Sequence, residues 1–181
     1  MAHLLQDYEH EFKPFCQLMK DENVRSYLEI GSFSGGSIEI AAQYLPVGSR
    51  IVSIDKPWKL TKQERLAGIL NELKASGYDT HLIVGDSTES RSIYKGRKWG
   101  PYDAVFIDGN HTYDYVKKDW ENYGTLGRIV GFHDIAKDKP PHGASAFWQQ
   151  LKTGYRHVEF ISEATRARTD GAFGIGVVWR V

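Results

Sequence analysis

Five polar clusters stand at or near the ends of apolar runs: Glu29, Asp55, Asp86-Ser87, Asp108 and His133-Asp134. His111 follows closely on Asp108. An ionised carboxylate only accepts hydrogen bonds, so Asp55 suits recognition of a ribose diol. An imidazole titrating near about 6.5 can take a proton at neutral pH, which makes His111 and His133 candidate general bases. The bland alternative for His111 is a helix-start residue that bonds a backbone carbonyl. Any one of the acids could be a helix N-cap and nothing more. All five together are better explained by a ligand site, because open α/β sheets bind ligands outside the carboxyl ends of their strands.

The elements that must carry these residues can be read from periodicity. Tyr27 to Ile30 has strand character and runs into a glycine-rich turn, after which Ile38, Ala41, Ala42 and Leu45 keep helical spacing. Glycines at such a junction let a ligand approach the backbone, and the helix N-terminus offers N–H groups. Further apolar runs lie at Arg50–Ile54, Thr80–Val84, Tyr102–Ile107 and Leu126–Phe132, each expected as a strand. Helical patterns separate them: Leu66, Ile69, Leu70 and Leu73 after a capping box at Thr61–Glu64, a short helix from Glu89 to Tyr94, and Tyr113, Val116, Trp120 and Tyr123 after a cap at Thr112. Gly77 is expected to stop the helix that carries Leu66 to Leu73. Near the N-terminus Leu5, Tyr8, Phe12 and Phe15 form an apolar stripe that Pro14 should kink or break, expected to pack on the sheet edge. A helix with Phe147, Trp148 and Leu151 precedes two last strands, Val158–Ile161 and Phe173–Trp179.

Strands that are apolar throughout and alternate with helices imply a parallel sheet covered on both faces. The expected fold is α/β: a doubly wound, Rossmann-like sheet of seven strands, mostly parallel, with a C-terminal antiparallel hairpin. One domain spans 1–181, divided into an N-terminal helical lid (1–20), a cofactor-binding core (27–135) and an acceptor-side loop, helix and closing strands (136–181). The spacing Glu29-x-Gly31-x-x-x-Gly35 departs from the dinucleotide pattern G-x-G-x-x-G and disfavours a nicotinamide dehydrogenase.

The Glu29–Gly35 spacing resembles motif I of the class I S-adenosylmethionine-dependent methyltransferases. So do Phe106-Ile-Asp-Gly-Asn-His-Thr-Tyr113, Asp119, Ile129-Val-Gly-Phe-His-Asp-Ile135 and Gly143-Ala-Ser-Ala-Phe-Trp148, which are similar to a small branch of that class. That branch includes the macrocin- and novobiocin-type sugar O-methyltransferases and cephalosporin-hydroxylase-like proteins. The resemblance implies that Glu29, Gly31, Ser32, Gly35, Asp55, Asp86, Ser87 and Asp108 contact S-adenosylmethionine, with Glu29 toward the methionine part and Asp86-Ser87 toward adenine. Trp58 could flank the adenine, although core or surface packing is the better explanation. The resemblance also implies a divalent metal at Asp108, His133 and Asp134. Strands about 4.8 Å apart would let these side chains converge on one ion, which would relieve repulsion between the carboxylates. Oxygen ligands favour Mg²⁺, and the histidine admits Mn²⁺ or Fe²⁺. One departure concerns the base. Sugar methyltransferases often carry an acid two residues after the first metal aspartate, whereas this chain has Asn110, which leaves His111 and His133 as replacements.

The implied reaction is methyl transfer to a hydroxyl of a small, sugar-like acceptor. The loop Ala136–Gly143, including His142, and the N-terminal helix would wall the acceptor. Two other classes stay open: a metal-dependent oxygenase or hydrolase using His111, His133 and a carboxylate, and a non-catalytic cofactor-binding module. Lys+Arg and Asp+Glu both number 23, so charge offers no case for nucleic acid or an anionic membrane. No apolar run approaches the roughly 20 residues of a membrane span, and no secretory signal is evident, so a cytoplasmic location is expected. The single cysteine, Cys16, excludes an intramolecular disulfide and should be buried. A free sheet edge and aromatic-rich helices would suit a homodimer.

Overall fold

The computed structural model describes residues 8–56, 59–136, 143–162 and 174–180. Leu5, Trp58, His142, Phe173 and most of the loop from Ala136 to Gly143 lie outside the described residues. Seven strands form one sheet: β1 (Ser26–Ile30), β2 (Arg50–Asp55), β3 (Asp79–Val84), β4 (Tyr102–Ile107), β5 (Gly127–His133), β6 (Arg156–Phe160) and β7 (Ile175–Trp179). Their spatial order is β3-β2-β1-β4-β5-β7-β6. The first five are parallel, and β7 runs antiparallel to both β5 and β6. The expected closing hairpin is therefore present, with its second strand inserted against β5.

Among the described residues six α-helices cover the sheet: α1 (Lys13–Asp21), α2 (Gly36–Ala41), α3 (Leu60–Ala75), α4 (Ser90–Trp99), α5 (Tyr113–Tyr123) and α6 (Ala144–Leu151). Side chains alternate across each strand, which splits the core in two. Tyr27, Ile51, Ala104, Phe106 and Ile129 pack with residues of α1, α2 and α3. Leu28, Val52, Val105, Val130 and Phe132 pack on the other face with residues of α5 and α6. Cys16 is buried in the first of these layers, where burial pushes its thiol up.

Register decides what the strand tips bring together. Ile30 pairs with Ile54 on one side and Ile107 on the other, and Ile107 pairs with Phe132. The next residues along, Gly31, Asp55, Asp108 and His133, therefore form one row at the carboxyl edge. The chain reverses its direction of winding between β1 and β4, and such a switch point opens the crevice where ligands bind.

Three local expectations are corrected. Pro14 lies in the first turn of α1, where the helix changes from a π-helical turn over Tyr8–Phe12 to α-helix. Phe15 stacks on Phe106 of β4, so this helix crosses the middle of the sheet rather than its edge. The Thr61–Glu64 capping box does not form. The Lys59 carbonyl already accepts the Lys62 and Gln63 N–H groups, so the helix starts at Leu60 and Thr61 is inside its first turn. Helix α4 extends to Trp99, well past Tyr94, with Ile93 and Trp99 packed against the second core layer. Thr112 holds the expected N-cap position of α5, although its side chain makes no cap bond. Gly77 ends α3 as expected: it is left-handed, and the Gly77 and Tyr78 N–H groups bond back to Lys74 and Leu73.

Candidate active site at the strand tips

The glycine turn is shaped by its neighbours. Gly31 has φ +89°, and a Cβ there would overlap the Asp108 carbonyl, so only glycine lets the β1 tip lie against the β4 tip. The Gly31 N–H bonds the Ile54 carbonyl, and the Asp108 N–H bonds the Ile30 carbonyl, tying three strand ends together. Phe33 also has positive φ, +51°, an uncommon conformation for a bulky residue. In that posture its N–H donates to Asp55 Oδ2 at 2.5 Å. Gly35 is the left-handed residue before α2.

Three carboxylates of this half carry different burdens. Glu29 is completely buried, where its oxygens accept the Tyr27 hydroxyl at 2.6 Å and the Ser37 hydroxyl. Burial raises its pKa to about 7, although Ser37 and Tyr27 oppose the shift. Asp55 is pushed up to about 6, chiefly by burial, with the Phe33 N–H acting against it. Burial works in the same direction on Asp86, but it accepts the Thr88 N–H and hydroxyl at 2.9 and 2.7 Å and pairs with Lys56 at 3.2 Å. The donors win, and Asp86 stays below the usual aspartate value. Ser32 is buried and accepts the Ser53 hydroxyl at 2.7 Å, while the Ser87 carbonyl accepts Tyr123 Oη–H at 2.7 Å.

Two imidazole–carboxylate pairs make up the other half. His133 Nδ1 is 2.8 Å from Asp108 Oδ1 and 3.6 Å from Asp134 Oδ1. His111 Nδ1 is 3.1 Å from Asp134 Oδ2. Asp134 itself is held at φ +61°, the strained left-handed backbone that clusters at functional sites. His133 is buried, and burial alone would favour its neutral form. Asp108 and Asp134 outweigh that and raise it to about 9, so the ring is a cation at neutral pH. Protonated, His133 balances the two carboxylates and is no base; holding an ion, the ring would be neutral and the ion would supply that charge. The His111 side chain is 33% exposed and His133 only 4%. The His111 carbonyl accepts the Gly143 and Ala144 N–H groups, which docks α6 against this turn.

Donor atoms of Asp108, His111 and His133 all lie within 4.8 Å of one another. These are the residues of the two-histidine, one-carboxylate alternative rather than of the Asp108–His133–Asp134 set, because His111 takes the place given to Asp134, whose oxygens face the two imidazoles instead. Two nitrogens and one carboxylate fit Mn²⁺ or Fe²⁺ better than Mg²⁺.

Asn110 serves the backbone. Its Oδ1 accepts the Thr112 N–H at 2.9 Å and turns the chain into α5. Two buried acids escaped sequence reasoning. Glu11 is fully buried, accepts the Gly174 N–H at 2.9 Å and adds its charge to those acting on His133. The signal that could have found it was an acid one helical turn from Phe15, within the apolar stripe. Asp119 was visible only as part of a motif, and nothing local marks its burial inside α5.

An open sheet of this order, with a glycine turn at the switch point and acids along its carboxyl edge, defines a nucleotide-type binding protein of the α/β class. The chain belongs to the family described as Methyltransferase domain, whose sequence pattern matches residues 28–135. No curated protein matches the chain. Among solved structures it is similar to the O-methyltransferase from Bacillus cereus in complex with SAH, at 16% identity and a TM-score of 0.72, over 99% of this chain and 84% of that one. It is similar also to the O-methyltransferase TomG from Streptomyces achromogenes in complex with SAM, at 23% identity and 0.62, over 93% and 78%. A third is cofactor-bound Rv0187 from MTB, at 18% identity and 0.67, over 99% and 82%. At these identities the likeness concerns the fold. No helix among the described residues is long and apolar enough to cross a membrane.

Proposed function

We propose that this methyltransferase-domain protein uses S-adenosylmethionine to methylate a hydroxyl of a small, sugar-like acceptor. The observation that carries the reading is the row at the carboxyl edge, where the Gly31 turn abuts Asp108 and the His111–Asp134 and His133–Asp108 pairs stand beside it. The bound cofactor supplies a methyl group already activated on a sulfonium. The protein's part is therefore alignment of acceptor oxygen, methyl carbon and sulfur. Asp55 would accept the ribose hydroxyls, and the close-fitting Gly31–Gly35 turn would line the rest of the cofactor. Asp134 holds His111 Nδ1, so acceptance of the acceptor's hydroxyl proton falls to Nε2. His133 would stay protonated and steady the two carboxylates.

The three-donor cluster favours a second version of the same reaction. There Asp108, His111 and His133 would hold a divalent ion, which supplies Lewis acidity that lowers the hydroxyl pKa. His111 cannot be both ligand and base, so the two versions separate by experiment. Calorimetric titration with S-adenosylmethionine should show micromolar binding to the wild type, weakened roughly 10- to 100-fold in Asp55→Ala. Methylation of a panel of sugar-like acceptors should fall about 10²- to 10⁴-fold in His111→Ala. Activity that survives exhaustive chelation assigns His111 to proton transfer, and activity restored only by added Mn²⁺ or Fe²⁺ assigns it to the ion. Absence of cofactor binding under all conditions would sink the reading.

A further inference from the structure

Helix α5 carries a polar stripe that the reaction above does not use. Tyr115, Asp119 and Tyr123 recur every four residues and so share one face. All three address the turn after β3. The Tyr115 hydroxyl is 3.5 Å from Asp86 Oδ2, the Tyr123 hydroxyl donates to the Ser87 carbonyl at 2.7 Å, and Ser87 acts on the Asp119 charge through its hydroxyl. From the other side, a Cβ on Gly109 would stand 3.7 Å from Asp119 Oδ2. Asp119 therefore lies between the turn after β3 and the turn after β4.

Its situation is costly. Asp119 is completely buried, and among the described residues neither carboxylate oxygen reaches bonding geometry with a partner, Ser87 included. Burial drives its pKa up to about 7. An apolar side chain of the same size would serve the fold better, because an orphaned buried carboxylate is destabilising. A residue that opposes stability in this way is expected where function requires it.

We propose that Asp119 is a positioning residue for the nucleoside end of the cofactor, waiting for a partner that ligand binding brings to it. Movement of the Asp86–Ser87 turn onto bound adenosine completes a hydrogen bond from the Ser87 hydroxyl to Asp119. The two turns are thereby locked on either side of the base. This inference rests on the reading that S-adenosylmethionine binds across these strand tips.

The test compares Asp119→Leu and Asp119→Asn with the wild type. Two probes are titrated, S-adenosylhomocysteine and 5′-methylthioadenosine, and thermal unfolding is recorded without ligand. The leucine variant should bind both probes about tenfold more weakly, as expected for one hydrogen bond to a charged group, while its Tm stays level or rises. Asparagine keeps one acceptor oxygen and should recover affinity to within about threefold. Opposite signs for affinity and stability mark positioning, since a purely structural residue would lower both together. Affinity unchanged in both variants overturns the proposal, and so does a loss seen only with the probe that carries the amino-acid part. Should the leucine variant fail to fold, Asp119→Ala puts the same question: a tenfold loss that Asp119→Asn recovers supports the proposal and an unchanged affinity overturns it. A wild type that binds neither probe removes the cofactor reading itself, an outcome distinct from a wild type that binds and variants that bind equally well.

Discussion

The two halves of the strand-tip row are built by different physics. At β1, β2 and β3, the carboxylates of Glu29, Asp55 and Asp86 are held by hydroxyl and backbone N–H groups. Lys56 adds a charge at Asp86, but none of these partners changes its charge near neutral pH, and the backbone conformation aims most of them. At β4 and β5, Asp108 and Asp134 are held by imidazoles, so the partners themselves can gain or lose charge. The first half is thus a cradle whose shape matters most, and the second a charge-balanced cluster whose protonation matters most. Shape should fail through sterics, and charge through titration.

The largest effect should come from sterics. Gly31→Ala would place a methyl group on the Asp108 carbonyl while holding a left-handed backbone. The conformational part alone costs about 1–2 kcal/mol, and backbone overlap should bring the loss of stability to about 4 kcal/mol. Chemical denaturation should therefore show either a strongly lowered midpoint or no cooperative transition. His111→Ala removes a partly exposed ring and should leave the same midpoint nearly unchanged while activity collapses. A Gly31→Ala protein of normal stability would break the distinction between the halves.

That contrast also explains what could be read in advance. Gly31, Gly35 and the apolar strands are local features: strand periodicity and glycine spacing fix the turn with little help from elsewhere, so sheet, helices and strand-tip row were legible. The pairing of His133 with Asp108 joins residues 25 apart, and Gly174 reaches Glu11 across 163. Such contacts depend on register and on how α1 crosses the sheet, and no local pattern encodes them. His133 is the clearest case. Its position beside Asp134 marked it as functional, but a cationic role needs the knowledge that two carboxylates surround a buried ring. Asn110 was puzzling as a missing base and becomes intelligible as the residue that starts α5.

Titration should separate the halves next. Glu29 has its pKa raised to about 7 by burial, so the folded state binds its proton more tightly than the unfolded chain does. Stability on its account is greatest at low pH and falls as pH rises from about 4.5 to about 7. His133 is raised to about 9, so its contribution is complete below about 6.5 and is lost as pH climbs to about 9. Each limb is worth on the order of 3 kcal/mol. Denaturation midpoints measured from pH 4 to 9.5 should fall in two stages. Glu29→Gln should remove part of the acidic stage, to which Asp55 and Asp119, raised to about 6 and about 7, also contribute, and His133→Gln should flatten the alkaline one. If Glu29→Gln flattened both, the halves would be one coupled unit rather than two.

The smallest effect bears on the base. Asn110→Asp keeps an oxygen to accept the Thr112 N–H, so α5 should still begin in the same place and stability should change by less than about 0.5 kcal/mol. The substitution also puts a carboxylate where the sugar methyltransferases that the sequence resembles carry theirs. If Asp134-oriented His111 takes the proton, methyl transfer by Asn110→Asp should stay within about twofold of wild type, because the route through His111 is already faster than the one being added. The informative comparison is the double variant Asn110→Asp/His111→Ala. Activity as low as in His111→Ala alone would mean that position 110 is too exposed and too tightly bound to the helix start to reach the acceptor. Substantial rescue would mean that the second half of the site tolerates either base, and that its chemistry depends on the charge balance of the cluster more than on the identity of one imidazole.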